Sequence, residues 1–167
     1  MEEVHKIFSA KYPKVKTLLQ KKNMSPSERE AYLAEFQDDG KLRIGFCVLG
    51  GSFSEGIDLP GKRLIGVVVV GVGLPGISDE NNIIRDYYEE KCGMGYDYAY
   101  TYPGMNSVLQ AVGRVIRTET DRGVAVLIDD RYGEAKYNHL FPKAWKGMNL
   151  VGNPSSLAEI MRRFWKN

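Results

Sequence analysis

Leu64-Ile65-Gly66-Val67-Val68-Val69-Val70 is the stretch on which the fold turns. It is apolar throughout and rich in β-branched residues, the pattern expected of a central parallel strand covered on both faces. Upstream, Leu42, Ile44, Phe46 and Val48 alternate as a half-buried strand would. Before them, residues 15–20 form a short strand candidate. Ser25-Pro26-Ser27-Glu28 has the form of a capping box with Pro at the first helical position, so a helix is expected from there to about Phe36. Val4, Ile7 and Phe8 fall at helical spacing, and the chain opens in a helix with no strand before it. Downstream, residues 81–91 are predicted helical, 92–104 a Gly- and Tyr-rich loop or ordered insertion, 107–117 a helix, 124–128 a strand and 157–165 an amphipathic helix. Alternating strand and helix make this an α/β chain, with a parallel sheet flanked by helices and binding loops at the carboxyl ends of its strands.

Composition narrows the classes. The 167 residues are one domain by length, 43% hydrophobic and 26% charged, as in ordinary globular proteins. Twenty-three basic against 21 acidic side chains leave a net charge of +2, too small to announce nucleic acid by itself. Cys47 and Cys92 have no Cys or His at metal spacing, so no metal site is expected, and Cys47 reads as a buried free thiol. The amino terminus carries no signal or transit pattern, and no apolar run approaches ~20 residues, so the expectation is a cytoplasmic protein with no membrane partner.

The strongest chemical signal is Gln110-Ala111-Val112-Gly113-Arg114-Val115-Ile116-Arg117. On a helix, Val108, Leu109, Val112, Val115 and Ile116 share one side, while Gln110, Gly113, Arg114 and Arg117 fall at i, i+3, i+4 and i+7 on the other. Two guanidiniums one turn apart, beside an amide, offer forked donors to phosphate oxygens. Gly113 costs about 1 kcal/mol against Ala in a helix, which suggests that something approaches the backbone there. The plainer alternative makes both arginines surface charges paired with Glu119 and Asp121.

A second signal is the Gly-rich loop at residues 50–61, which contains Ser52, Ser54, Glu55, Gly56 and Asp58 and follows a strand. Its glycines admit close backbone approach, its serines can bond phosphate, and its carboxylates can meet a sugar hydroxyl or orient an arginine. Gly71-Val72-Gly73-Leu74-Pro75-Gly76 matches a dinucleotide fingerprint, but Pro75 stands where the phosphate-binding helix would start and no acid ends a second strand about 20 residues on. These glycines are read as shaping the exit from the central strand. No G-x-x-x-x-G-K-[ST] occurs, and no Asp-Glu pair follows an apolar strand to hold magnesium, so the chain does not cradle a triphosphate unaided.

Ser54-Glu55-Gly56-Ile57-Asp58 after one strand, then Gln-x-x-Gly-Arg-x-x-Arg at residues 110–117, closely resembles motifs V and VI of superfamily 2 helicases. With Asp129-Asp130-Arg131-Tyr132 after the next strand, the wording resembles the XPD/DinG branch of DNA helicases. The resemblance spans about residues 20–145. It implies a RecA-like, P-loop NTPase-like second motor domain without the phosphate loop, in which Arg114 and Arg117 reach the γ-phosphate and Gln110 orients the site. Gly56, Asp58, Glu55 and Gly113 would line the nucleotide or brace the arginines, and Ser52 and Ser54 would touch DNA phosphates. It further implies ATP and Mg2+ bound mainly by a first motor domain of the same polypeptide, single-stranded DNA as partner, and any iron–sulfur cluster on that other domain. The family's second domain starts with a strand, so the expectation is a fragment lacking that strand, inactive alone. The alternatives are a non-catalytic nucleic-acid or protein interaction module with this fold and, on the discounted glycine match alone, a dinucleotide-dependent enzyme.

Overall fold

A capping box opens the second helix as the sequence demands. Glu28 N–H donates to Ser25 Oγ (3.2 Å) and Ser25 N–H donates to Glu28 Oε2 (2.8 Å), which satisfies two donors that every helix start leaves orphaned. The computed structural model describes residues 1–50, 59–145 and 147–166. Its elements are α1 (Glu2–Lys11), β1 (Lys16–Leu19), α2 (Pro26–Ala34), β2 (Arg43–Phe46), β3 (Gly66–Val70), α3 (Asp79–Cys92), α4 (Tyr102–Gly113), β4 (Val124–Ile128), α5 (Ala135–Asn138) and α6 (Pro154–Lys166). The fold is α/β with parallel strand pairing, as the alternation of patterns predicts.

The predicted central strand is corrected in one respect. Among the described residues the strands form two separate parallel pairs, β1 with β2 and β3 with β4. Among the described residues only one face of β3 is covered. Val69 is 4% exposed, whereas its neighbours Val68 and Val70 are 62% and 75% exposed. The reason is one-sided packing. Val69, Val72, Met105, Val108, Tyr132 and Tyr137 form the core cluster, so the cover comes from α4 and the segment after β4. Burying Val108 and Met105 there contributes on the order of 1.5–3 kcal/mol each. Tyr132 ties the two strand ends together by donating to Gly71 O (2.6 Å), and burial pushes its phenol up to about 12.

The stretch at 92–104, expected as a loop or an ordered insertion, is ordered and largely helical. Gly93 stops α3 in the left-handed conformation, and the chain then winds through a π-helical turn, Asp97–Thr101, directly into α4. Ring packing accounts for order where the sequence is Gly-rich: Tyr88 stacks on Tyr98 with centroids 3.9 Å apart and planes 5° from parallel. Lys136 pairs with Asp97 and so fixes α5 to that turn. Cys47 is also corrected. It lies just past β2 and is exposed as a residue, with its sulfur 3.2 Å from the Tyr32 hydroxyl. The glycines at residues 71–76 do shape the exit of β3: Gly71 and Gly73 have φ of 87° and 67°. No helix starts until Asp79, so no helix terminus meets a pyrophosphate there, as a dinucleotide site requires.

Candidate functional site

The arginine motif is built differently from a single helical face. α4 ends at Gly113 and Arg114 is its C-cap. Val115 N–H returns to Val112 O (3.0 Å), so Arg117 stands beyond the helix and the i, i+7 relation to Gln110 does not hold. Two contacts explain the early stop. Val115 is driven inward, 4% exposed, into contact with the site where Gly123 lacks a side chain. Asp121 Oδ2 then accepts from Arg117 N–H and Thr118 N–H, each at 2.9 Å. The carboxylate thereby holds the turn that carries Arg117. Val108 on the apolar side is buried as expected, but Ile116 is half exposed, because it falls in this turn.

Gln110 and Gly113 are exposed, Arg114 and Arg117 half-buried, and neither arginine is without a partner. Asp121 acts here on the backbone of the turn. Asp121 is held below the usual carboxylate range first by the Arg117 N–H and then by the Thr118 N–H, with the Arg117 charge contributing least. Because the folded value is the lower one, this support is fully present above the unfolded-chain value of about 3.9 and is lost as pH falls through the folded value. Asp121→Ala is therefore expected to lower Tm at pH 7, with a gap from wild type that shrinks below about pH 4. A gap unchanged down to pH 2 in thermal melts would contradict the latch.

Ser52, Ser54, Glu55, Gly56 and Asp58 lie outside the described residues. What the structure positions are the residues on either side of them. On the amino side, a Cβ on Gly50 would be 3.9 Å from Ser107 Oγ of α4. On the carboxyl side Leu59 is buried, and Arg63 donates from Nε to Phe36 O (2.7 Å) and from Nη2 to Leu33 O (3.2 Å), capping α2. The sequence reading missed Arg63 and the latch role of Asp121. The signal for the latch was the polar run Thr118-Glu119-Thr120-Asp121 ahead of Gly123. Asp129 and Arg131 form a local bidentate pair, both contacts at 2.8 Å, that shapes the turn leading to Tyr132.

The donors at the end of α4, an amide and two guanidiniums, suit phosphate oxygens. Among the described residues no group of three or more His, Cys, Asp or Glu side chains is placed to hold a metal, and no helix is long and apolar enough to cross a membrane.

An α/β chain with this motif order has a defined place among known proteins. Residues 1–148 match the helicase C-terminal domain family, and the chain belongs to that family. It is 35% identical over 129 residues to a regulator of telomere elongation helicase 1 homolog of Caenorhabditis briggsae, covering 72% of this chain and 13% of that protein. It is 30% identical over 160 residues to the ATP-dependent DNA helicase CHL1 of Coccidioides immitis, covering 84% and 18%. Against the general transcription and DNA repair factor IIH helicase subunit XPD of Dictyostelium discoideum, identity is 27% over 124 residues, covering 71% and 16%. These relatives bear out the XPD/DinG-type assignment. The chain spans less than a fifth of the length of each of these three.

Proposed function

We propose that this chain is the second motor domain of an ATP-dependent DNA helicase and supplies Arg114 and Arg117 to an ATP site shared with a first motor domain. The observation that carries the reading is the turn after α4. It holds Arg117 by its backbone on Asp121 and leaves Gly113 with no described atom within 4 Å of where a Cβ would sit. That leaves room for a nucleotide phosphate or the facing domain to approach the backbone at Gly113. Magnesium does not fit the amide and guanidinium donors of this half and belongs with the carboxylates of the other.

Gln110 orients the site, and the Glu55, Gly56 and Asp58 loop links it to Ser52 and Ser54, which grip the backbone of single-stranded DNA. Phosphoryl transfer needs charge neutralised as it proceeds, so arginines delivered across a cleft couple domain closure to hydrolysis.

The RecA-like sheet lacking its first strand is part of the same reading. α1 leads into β1 through a short turn, the place of a crossover helix between parallel strands. β2 and β3 converge at their carboxyl ends, where a Cβ on Gly73 would meet Leu49 Cδ2 at 2.9 Å. At their amino ends they border a cavity of about 510 Å3 whose lining includes Leu42, Arg43 and Ile65. One further parallel strand between β2 and β3 would merge the two pairs into a single sheet.

ATP turnover tests the half-site. The isolated chain is expected to hydrolyse no ATP, with or without single-stranded DNA, while the longer protein, carrying a phosphate loop and an acidic box upstream, does. Robust hydrolysis by the pure chain overturns the half-site, and a longer protein without a phosphate loop overturns the motor.

A further inference from the structure

α3 is amphipathic in the wrong direction for a helix that only packs on its own domain. At 100° per residue Ile83, Ile84 and Tyr87 share one arc of about 100°, and they are 70%, 40% and 54% exposed. Ile77, just before the helix, is 86% exposed. The residues of α3 that are partly covered are instead Asn81, Asn82 and Tyr88. Their contacts are polar or aromatic: Asn81 Nδ2 donates to Gly76 O (2.8 Å), and Tyr88 stacks on Tyr98. No residue of α3 is buried. An apolar row turned to water along a well-capped helix is the kind of surface an interaction partner covers.

The charges around the stripe indicate its occupant. Asp79, Glu80, Asp86, Glu89 and Glu90 stand on this helix against Arg85 and Lys91. Arg85 pairs with Asp86 at 2.8 Å, which leaves Asp79, Glu80, Glu89 and Glu90 against Lys91, whose ammonium reaches the Tyr87 hydroxyl at 3.1 Å. A surplus of carboxylates repels a phosphate backbone and attracts Lys and Arg, so a basic protein segment fits this face better than a nucleic acid does. We propose that the Ile77, Ile83, Ile84 and Tyr87 face of α3 is a docking surface for a basic amphipathic helix of a partner protein. Its apolar anchors would seat on the isoleucines and its cations on Glu80 and Glu90.

The proposal does not depend on the motor reading and is tested by peptide binding. The probe is a labelled synthetic peptide with the sequence of α6, chosen because Leu157, Ile160, Met161 and Phe164 sit beside Arg162, Arg163 and Lys166. Fluorescence anisotropy with the full chain is expected to show saturable, salt-weakened binding. Ile83→Asp should weaken it about tenfold, as loss of an interface anchor does, and the Glu80→Lys, Glu90→Lys double variant by a similar factor. An R162E, R163E, K166E peptide should not bind. Unchanged Tm in Ile83→Ser, a milder second variant, separates lost docking from lost folding. Absent binding, or equal binding by the variants, overturns the proposal. So does a single-stranded oligonucleotide that competes for the face, or self-association of the chain that Ile83→Asp abolishes.

Discussion

If the longer protein is the proposed helicase, Arg117→Ala in it is expected to remove most DNA-stimulated ATP hydrolysis, about a thousandfold in turnover, with only a modest change in nucleotide affinity. The split between turnover and affinity follows from what an arginine in a facing domain does. It meets charge that develops on the transferring phosphoryl group, so its loss is felt in the transition state more than in the bound ground state. The structure adds a reason to single out Arg117 over Arg114. Arg114 caps a helix, whereas Arg117 sits in a turn whose N–H groups are held by Asp121, so its approach is set by a separate latch. Asp121→Ala should therefore lower turnover in the same direction but by less, because the guanidinium remains while its turn loosens. Arg117→Lys should not restore activity, since a point charge does not reproduce the planar fork. Steady-state turnover and nucleotide binding on the same preparations check this, and near-normal turnover in Arg117→Ala would remove that residue from the chemistry.

What the sequence made legible follows physical range. The Ser25 capping box is a contact between residues three apart and formed as written. The valine run became β3, paired in register with β4 from Gly66 on Val124 to Val70 on Ile128. Interactions that join distant segments were not legible. The end of α4 at Gly113 depends on Gly123 leaving room for Val115, and helical periodicity carries straight through residues 110–117 without sensing it. Order in the Gly- and Tyr-rich stretch depends on Tyr88 meeting Tyr98 from a different helix. The open face of β3 shows the same limit in reverse. A continuous apolar run states that both faces seek cover, but the described residues supply it to Val69 and not to Val68 or Val70.

Gly104→Val should damage stability severely, costing about 3 kcal/mol and roughly 10 °C in Tm. A Cβ at Gly104 would lie 2.7 Å from Val72 O and 3.0 Å from both Gly73 C and Leu74 N, and one at Gly73 would lie 2.8 Å from Gly104 O. Every atom in the way of Gly104 is backbone, so no side chain can swing aside, and relief requires α4 to part from the exit of β3. That would open the core at Val72 and Val108, both nearly fully buried. Gly113 on the same helix makes the opposite case. It has helical backbone and no described atom within 4 Å of the position of a Cβ, so Gly113→Ala should stabilise the chain by up to about 1 kcal/mol through helix propensity alone. If the space is kept for a phosphate or the facing domain, the same substitution in the longer protein should lower ATP turnover while raising Tm. Denaturant unfolding and turnover measured together separate these roles. A Gly113→Ala protein that is both more stable and fully active would mean that nothing closes on that backbone during the cycle.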